Sequence, residues 1–195
     1  MTASAASEVR RRHVPGEPGL WVLIFGDMLV FTVLFGVYLT QRGGHRDLFA
    51  QSQDSLNRNL GAVNTLVLLT SSLLVVTAVH AQRADSSRHL SSRLMLGAFG
   101  VGSLFVVIKA VEYYEKISAG IVPSTNEFFM YYYVLTGLHL AHVLIGLVVL
   151  LVLSRLAANP DPSPRQYGYI EGGGCFWHMV DLLWIVIFPL LFLVR

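Results

Sequence analysis

From Phe128 to Ser154 the chain carries no Asp, Glu, Lys or Arg. A helix on the surface of a soluble domain keeps a polar face, and this stretch has none. It is also long enough to cross the ~30 Å hydrocarbon core of a bilayer, which takes about 20 apolar residues. Inside lipid every backbone polar group must find its partner within the chain, so a lone segment of this kind must be helical. Four other stretches read the same way, and spans are expected over 20–40, 60–81, 94–114, 128–156 and 175–194. The expectation is an all-α polytopic membrane protein, a bundle of five transmembrane helices (residues 20–195) behind a polar, basic N-terminal segment (1–19).

Composition agrees. Charged residues make up 13% of the chain and hydrophobic residues 54%, with mean hydropathy +0.58; a soluble domain carries about 25% charge. The net charge of +2 comes with no basic cluster interleaved with aromatics, so nucleic acid is not an expected partner. The single cysteine, Cys175, excludes an internal disulfide and is read as a packing residue at the start of the last helix. No cleavable signal peptide is expected, because the first apolar segment is long enough to span. The connections are short and polar. The one from Ala157 to Gly174 is rich in Pro and Gly, and its NPDPSP run (Asn159 to Pro164) cannot continue a helix.

Basic residues in the loops set orientation. The N-terminal side collects Arg10, Arg11, Arg12, Arg83, Arg88, Arg93, Arg155 and Arg165; the other collects Arg42, Arg46, Arg58, Lys116 and Arg195. Eight against five favours a cytoplasmic N-terminus and an outside C-terminus.

The ionisable residues inside the spans are Asp27, Lys109, Glu112, His139, His142, His178 and Asp181. Each costs ~2.5–3.5 kcal/mol at mid-bilayer, so each is expected to face the bundle interior and to have a partner. Lys109 and Glu112 share a helix face three residues apart, as do His139 and His142, and His178 and Asp181. A carboxylate one turn from an imidazole fixes its tautomer. Three uses fit the set: a haem or metal site with His139, His142, His178, Asp181 and Glu112 as candidate ligands; a proton relay or substrate path; and interhelical hydrogen bonds that lock the bundle. Asn64, Thr65, Thr70, Ser71 and Ser72 suit the last use. Gly97, Gly100, Gly102, Gly137 and Gly146 suit close helix approach, and Tyr113, Tyr114 and Tyr131 to Tyr133 suit an interfacial aromatic belt.

Two stretches carry a family resemblance: YVLTGLHLAHVLIG, Tyr133 to Gly146, and EGGGCFWHMVDLLW, Glu171 to Trp184. Their TG-x-H-x-x-HV-x-x-G and WH-x-VD-x-x-W patterns resemble the subunit III family of haem-copper oxidases, in its five-span form. NTLVLLTSS (Asn64 to Ser72), EYYEKISAG (Glu112 to Gly120) and GDMLVFTVLFGVYL (Gly26 to Leu39) are similar to the same family, the last to the helix bearing its carbodiimide-reactive carboxylate. Asp27 stands where the family commonly has Glu, and Lys109 where a neutral Gln is common. The opening HVPGEPGLWVLIFGDM looks most like the branch associated with nitric oxide reductase.

The resemblance implies an accessory, non-catalytic subunit in a bacterial-type cell membrane. Haem and copper would sit in partner subunits I and II, with no metal and no catalytic residue in this chain. Phospholipid would bind between its helices, and Asp27, Glu112, His139, His142, His178 and Asp181 would be lipid or proton-uptake candidates. Asn64, Thr65, Lys109, Glu171, Trp177 and Trp184 would be structural polar residues, and His139 and His142 pins between the last two spans. The complex would pass electrons from cytochrome c to oxygen with proton pumping. Auxiliary service to a nitric oxide reductase is the alternative. A stand-alone transporter or haem or metal protein is the second.

Overall fold

A computed structural model describes residues 18–83, 88–159 and 163–194. The basic run Arg10 to Arg12, Arg88 as a side chain, Arg195 and the middle of the NPDPSP run lie outside these residues. The elements are α1 (Pro18–Gly44), α2 (Arg46–Asp54), α3 (Arg58–Arg83), α4 (Arg88–Ser118), α5 (Glu127–Ala157), α6 (Pro164–Phe188) and a π-helical turn (Pro189–Leu193). Among the described residues there is no strand, and α1, α3, α4, α5 and α6 are long and apolar enough to cross a membrane.

Helices α3, α4, α5 and α6 close into a ring, each packed on the next and α6 back on α3. Helix α1 leans on α5 and α6 from outside that ring. Its buried apolar residues are Ile24, Phe31 and Tyr38, a single seven-residue stripe, the narrow seam of a helix with one line of contact. Val22, Phe25 and Leu29 on its other faces are 74%, 66% and 66% exposed.

Antiparallel α3 and α4 are tied by hydroxyls that reach across to backbone. Ser71 Oγ donates to the Ala98 carbonyl and Ser91 Oγ to that of Ala78, each at 2.8 Å. Small residues let the backbones approach closely enough for this. At the far end of α4 a Schellman turn stops the helix: Gly120 takes φ 76°, its N–H reaches the Ile117 carbonyl at 3.0 Å, and the Ile121 N–H reaches that of Lys116 at 2.9 Å. Helix α5 then starts on an Asn126 cap, whose Oδ1 accepts from the Phe129 N–H at 2.9 Å.

Three features differ from the sequence expectations. The polar connection after α1 contains α2, which buries Phe49 and whose Gln53 Nε2 donates to the Leu191 carbonyl at 3.0 Å. Second, α6 begins eleven residues before the expected span, at Pro164 instead of Cys175. A capping box starts it, with Ser163 and Gln166 bonding each other's backbone. The Gly172 to Gly174 run is therefore helical and Cys175 lies mid-helix. A Cβ on Gly173 would stand 2.6 Å from Leu153 Cδ1, so this glycine serves helix contact, not a turn. Third, Pro189 has no N–H to continue the α-helical ladder, and the chain closes one wider turn instead, Val194 N–H to the Pro189 carbonyl at 2.9 Å.

Candidate functional site

The polar residues of the interior fall into separate groups. The first sits between α4 and α5. Lys109 and Glu112 are 0% and 1% exposed. Lys109 Nζ lies 3.0 Å from Glu112 Oε2 and 3.3 Å from the Tyr132 hydroxyl, which itself donates to Glu112 Oε1 at 2.6 Å. Both carboxylate oxygens are thus engaged. The rings of Tyr132, Trp184, Tyr113 and Phe192 surround the ammonium at 5.0, 5.2, 5.5 and 5.7 Å, within range of cation–π attraction. Tyr132 is therefore a core residue and not part of an interfacial belt, while Tyr114 is 74% exposed. Its neighbour Thr136 donates to the Tyr132 carbonyl and accepts from Tyr113.

The second group joins α1 to α5. His142 Nε2 stands 3.3 Å from Asp27 Oδ2, and Nδ1, facing the Leu138 carbonyl at 2.8 Å, must carry a hydrogen because a carbonyl only accepts. His142 therefore ties α5 to α1, not α5 to α6 as the two-pin reading expected.

His139 departs further from that reading. It is fully buried, and neither ring nitrogen has a hydrogen-bond partner in the protein. Its ring centroid lies 5.3 Å from that of Trp184 and 5.5 Å from that of Phe105, the latter in a T-shaped contact. Its contact with α6 is aromatic packing. His139→Phe is therefore expected to leave the thermal unfolding midpoint unchanged or raise it, because two unpaired polar atoms disappear from an apolar site; a marked drop in detergent would contradict this.

On α6, the carboxylate one turn from His178 does not orient it. His178 Nδ1 instead meets Ser72 Oγ of α3 at 2.6 Å. Trp184 Nε1 donates to Thr65 Oγ1 at 3.1 Å, and Arg83 contacts Glu171 Oε1 at 2.8 Å. Asn64 is fully buried with both amide atoms unpartnered, and the Trp177 indole N–H is likewise unpartnered. Trp177 acts instead as a wedge. A Cβ on Gly146 would meet its ring at 2.7 Å and one on Gly102 at 2.9 Å, whereas Gly100 has nothing within 4 Å and so makes no close approach inside this chain. Among the described residues, no three His, Cys, Asp or Glu side chains converge as a metal site would require. Ser72 lies among the polar residues of α3 suited to interhelical hydrogen bonds, but no spacing along the chain named His178 as its partner, nor Glu112 as that of Tyr132; both pairs became visible only once α3 met α6 and α4 met α5.

The family model described as cytochrome c oxidase subunit III matches residues 17–194. The chain is 30% identical over 179 residues to cytochrome c oxidase subunit 3 of Alkalihalophilus pseudofirmus, covering 90% of this chain and 84% of that one. It is 29% identical over 176 residues to the protein of the same name from Thermostichus vulcanus, covering 90% and 85%. It is also 28% identical over 181 residues to the heme-copper oxidase subunit I+III of Aeropyrum pernix, covering 90% of this chain and 22% of that longer one. With a family model spanning nearly the whole chain and five membrane-length helices beneath it, the chain is an integral membrane protein and belongs to the cytochrome c oxidase subunit III family.

Proposed function

We infer that the chain is the accessory subunit III of a haem-copper terminal oxidase in aerobic respiratory electron transport. The family match over residues 17–194 carries this reading. The interior supports it: Lys109 is committed to Glu112, Asp27 to His142 and His178 to Ser72. The last two pairs, with the Tyr132 hydroxyl on Glu112, hold neighbouring helices together. Haem and copper are assigned to partner subunits, and phospholipid to the surface between helices. The fused subunit I+III of the Aeropyrum relative supports contact with a subunit I, and a subunit II completes the expected complex. The relatives named above are oxidase subunits, which favours oxygen over nitric oxide as the acceptor. The excess of Arg on the N-terminal side supports a cytoplasmic N-terminus.

A tagged full-length chain purified in mild detergent is expected to bring down a larger haem-bearing subunit in fixed ratio. Recovery of the chain without such a partner would contradict the assignment.

A further inference from the structure

A cavity of about 150 Å³ opens between α3 and α6, at the end of the bundle where α1 begins. Its polar lining falls at two ends. At the rim, beside His80, Glu171 Oε1 accepts from Arg83 Nε at 3.2 Å and from Arg83 Nη2 at 2.8 Å. The Arg83 side chain is 62% exposed, so this end reaches the polar end of the bundle. At the inner end stands His178, whose Nδ1 lies 2.6 Å from Ser72 Oγ. Ser72 is close to the middle of α3 (Arg58–Arg83), so the cavity runs from the membrane surface to about mid-depth. Between the two ends the walls are Val76, Val79 and Gly174, with Cys175 beside them. Val76 is partly exposed to the outside of the bundle, and Leu66, Leu69 and Leu73 continue from it along α3 as an exposed apolar stripe.

These features restrict what fits. A cavity of this volume holds one benzene-sized ring. The formal charges of its lining, Arg83 and Glu171, are already paired, so it offers no spare cation to a phosphate or a carboxylate. What remains is hydrogen bonding at each end. Arg83 has five N–H donors and directs those on Nε and Nη2 to Glu171, which leaves others for a ligand. With the Ser72 hydroxyl donating to Nδ1, His178 Nε2 carries a hydrogen and has no acceptor for it among the described residues. Glu171 and His178 are seven residues apart on α6, about 10 Å along its axis. A six-membered ring with oxygens at opposite ends, and a hydrogen bond of ~2.9 Å at each, spans a similar length. We propose that the α3/α6 cavity binds the head group of a quinone, with Arg83 donating to one carbonyl and His178 to the other. The apolar tail lies along the leucine stripe of α3. The head group is held by hydrogen bonds alone, with no bond made or broken.

The test is the rate at which a maleimide labels Cys175, the chain's single cysteine and part of the cavity wall, in the full-length chain in lipid nanodiscs. The probe is decylubiquinone, whose fully substituted ring leaves no position open to the thiol. In excess it should slow labelling about tenfold, because only the ligand-free fraction reacts. Decylbenzene, with ring and tail but no oxygens, should leave the rate unchanged. Arg83→Leu and His178→Phe each remove one of the two donors, and each should raise the half-protecting concentration about tenfold or more. Unslowed labelling of the wild type overturns the proposal, as does equal protection by decylbenzene or unchanged protection in Arg83→Leu and His178→Phe. If His178→Phe does not fold, Arg83→Leu, which alters an exposed side chain, decides alone. Without quinone, nanodiscs of zwitterionic and of anionic phospholipid should give the same rate; protection by the anionic lipid alone would assign the cavity to a lipid head group and overturn the quinone. The chain is tested alone, so this outcome is separate from that of the accessory-subunit assignment.

Discussion

Glu112→Gln is expected to destabilise the folded bundle by ~3–5 kcal/mol, the cost of leaving one member of a buried ion pair without its partner. Lys109 is 0% exposed and makes its ionic contact with Glu112 alone among the described residues. Removing the carboxylate charge leaves an ammonium enclosed by four aromatic rings, which attract it too weakly to replace an anion. The Tyr132 hydroxyl loses its charged acceptor at the same time. The effect should reach beyond α4, because those rings come from α4, α5, α6 and the π-helical turn. The triple variant Lys109→Met, Glu112→Leu, Tyr132→Phe removes every member of the network, and should recover most of the loss. Unfolding of purified protein in mixed micelles with rising denaturing detergent measures both. A single variant within about 1 kcal/mol of wild type would show that water reaches the ammonium.

A second large effect is expected at Gly146. In the middle of a helix, Gly→Ala ordinarily stabilises by about 0.8–1 kcal/mol. At Gly146 the new methyl would stand 2.7 Å from Trp177, whose ring also leaves no room for a Cβ at Gly102. Trp177 is 1% exposed and has no room to withdraw. Gly146→Ala is therefore expected to destabilise by ~1–3 kcal/mol, and Gly146→Leu to prevent the folded protein from accumulating. Gly100→Ala, with nothing within 4 Å of the added carbon, should show the ordinary gain. Opposite signs at two glycines of similar sequence context, read by the same unfolding assay, are the expected result; equal signs would remove the wedge from the account.

How much of this the sequence carried depended on the kind of signal. Spans were legible because lipid imposes length and apolarity on each segment separately, and neither needs a neighbour to be recognised. Helix α2 was missed because nine residues with one buried phenylalanine resemble a loop until Gln53 finds the Leu191 carbonyl. The start of α6 was missed because Gly172 to Gly174 reads as a breaker, whereas here the missing side chains make room for Leu153 and the valines of α3 and α5. Among the polar residues, the Lys109–Glu112 contact lies within one helix and could be read from a three-residue spacing. The partners of His142 and His178 lie on other helices, and spacing along one chain says nothing about which helix stands opposite. His139 shows the converse: a histidine in a motif-like setting whose neighbours are rings.

The locking role assigned to these residues has a direct consequence for the redox centres. The decisive measurement is the absorption spectrum and metal content of the full-length chain after a harsher detergent separates it from its purified complex. The account predicts no Soret band and no stoichiometric iron, copper or zinc in the separated chain, with all haem remaining on the larger partner. A Soret band that travels with the separated chain and disappears in His142→Ala would contradict it.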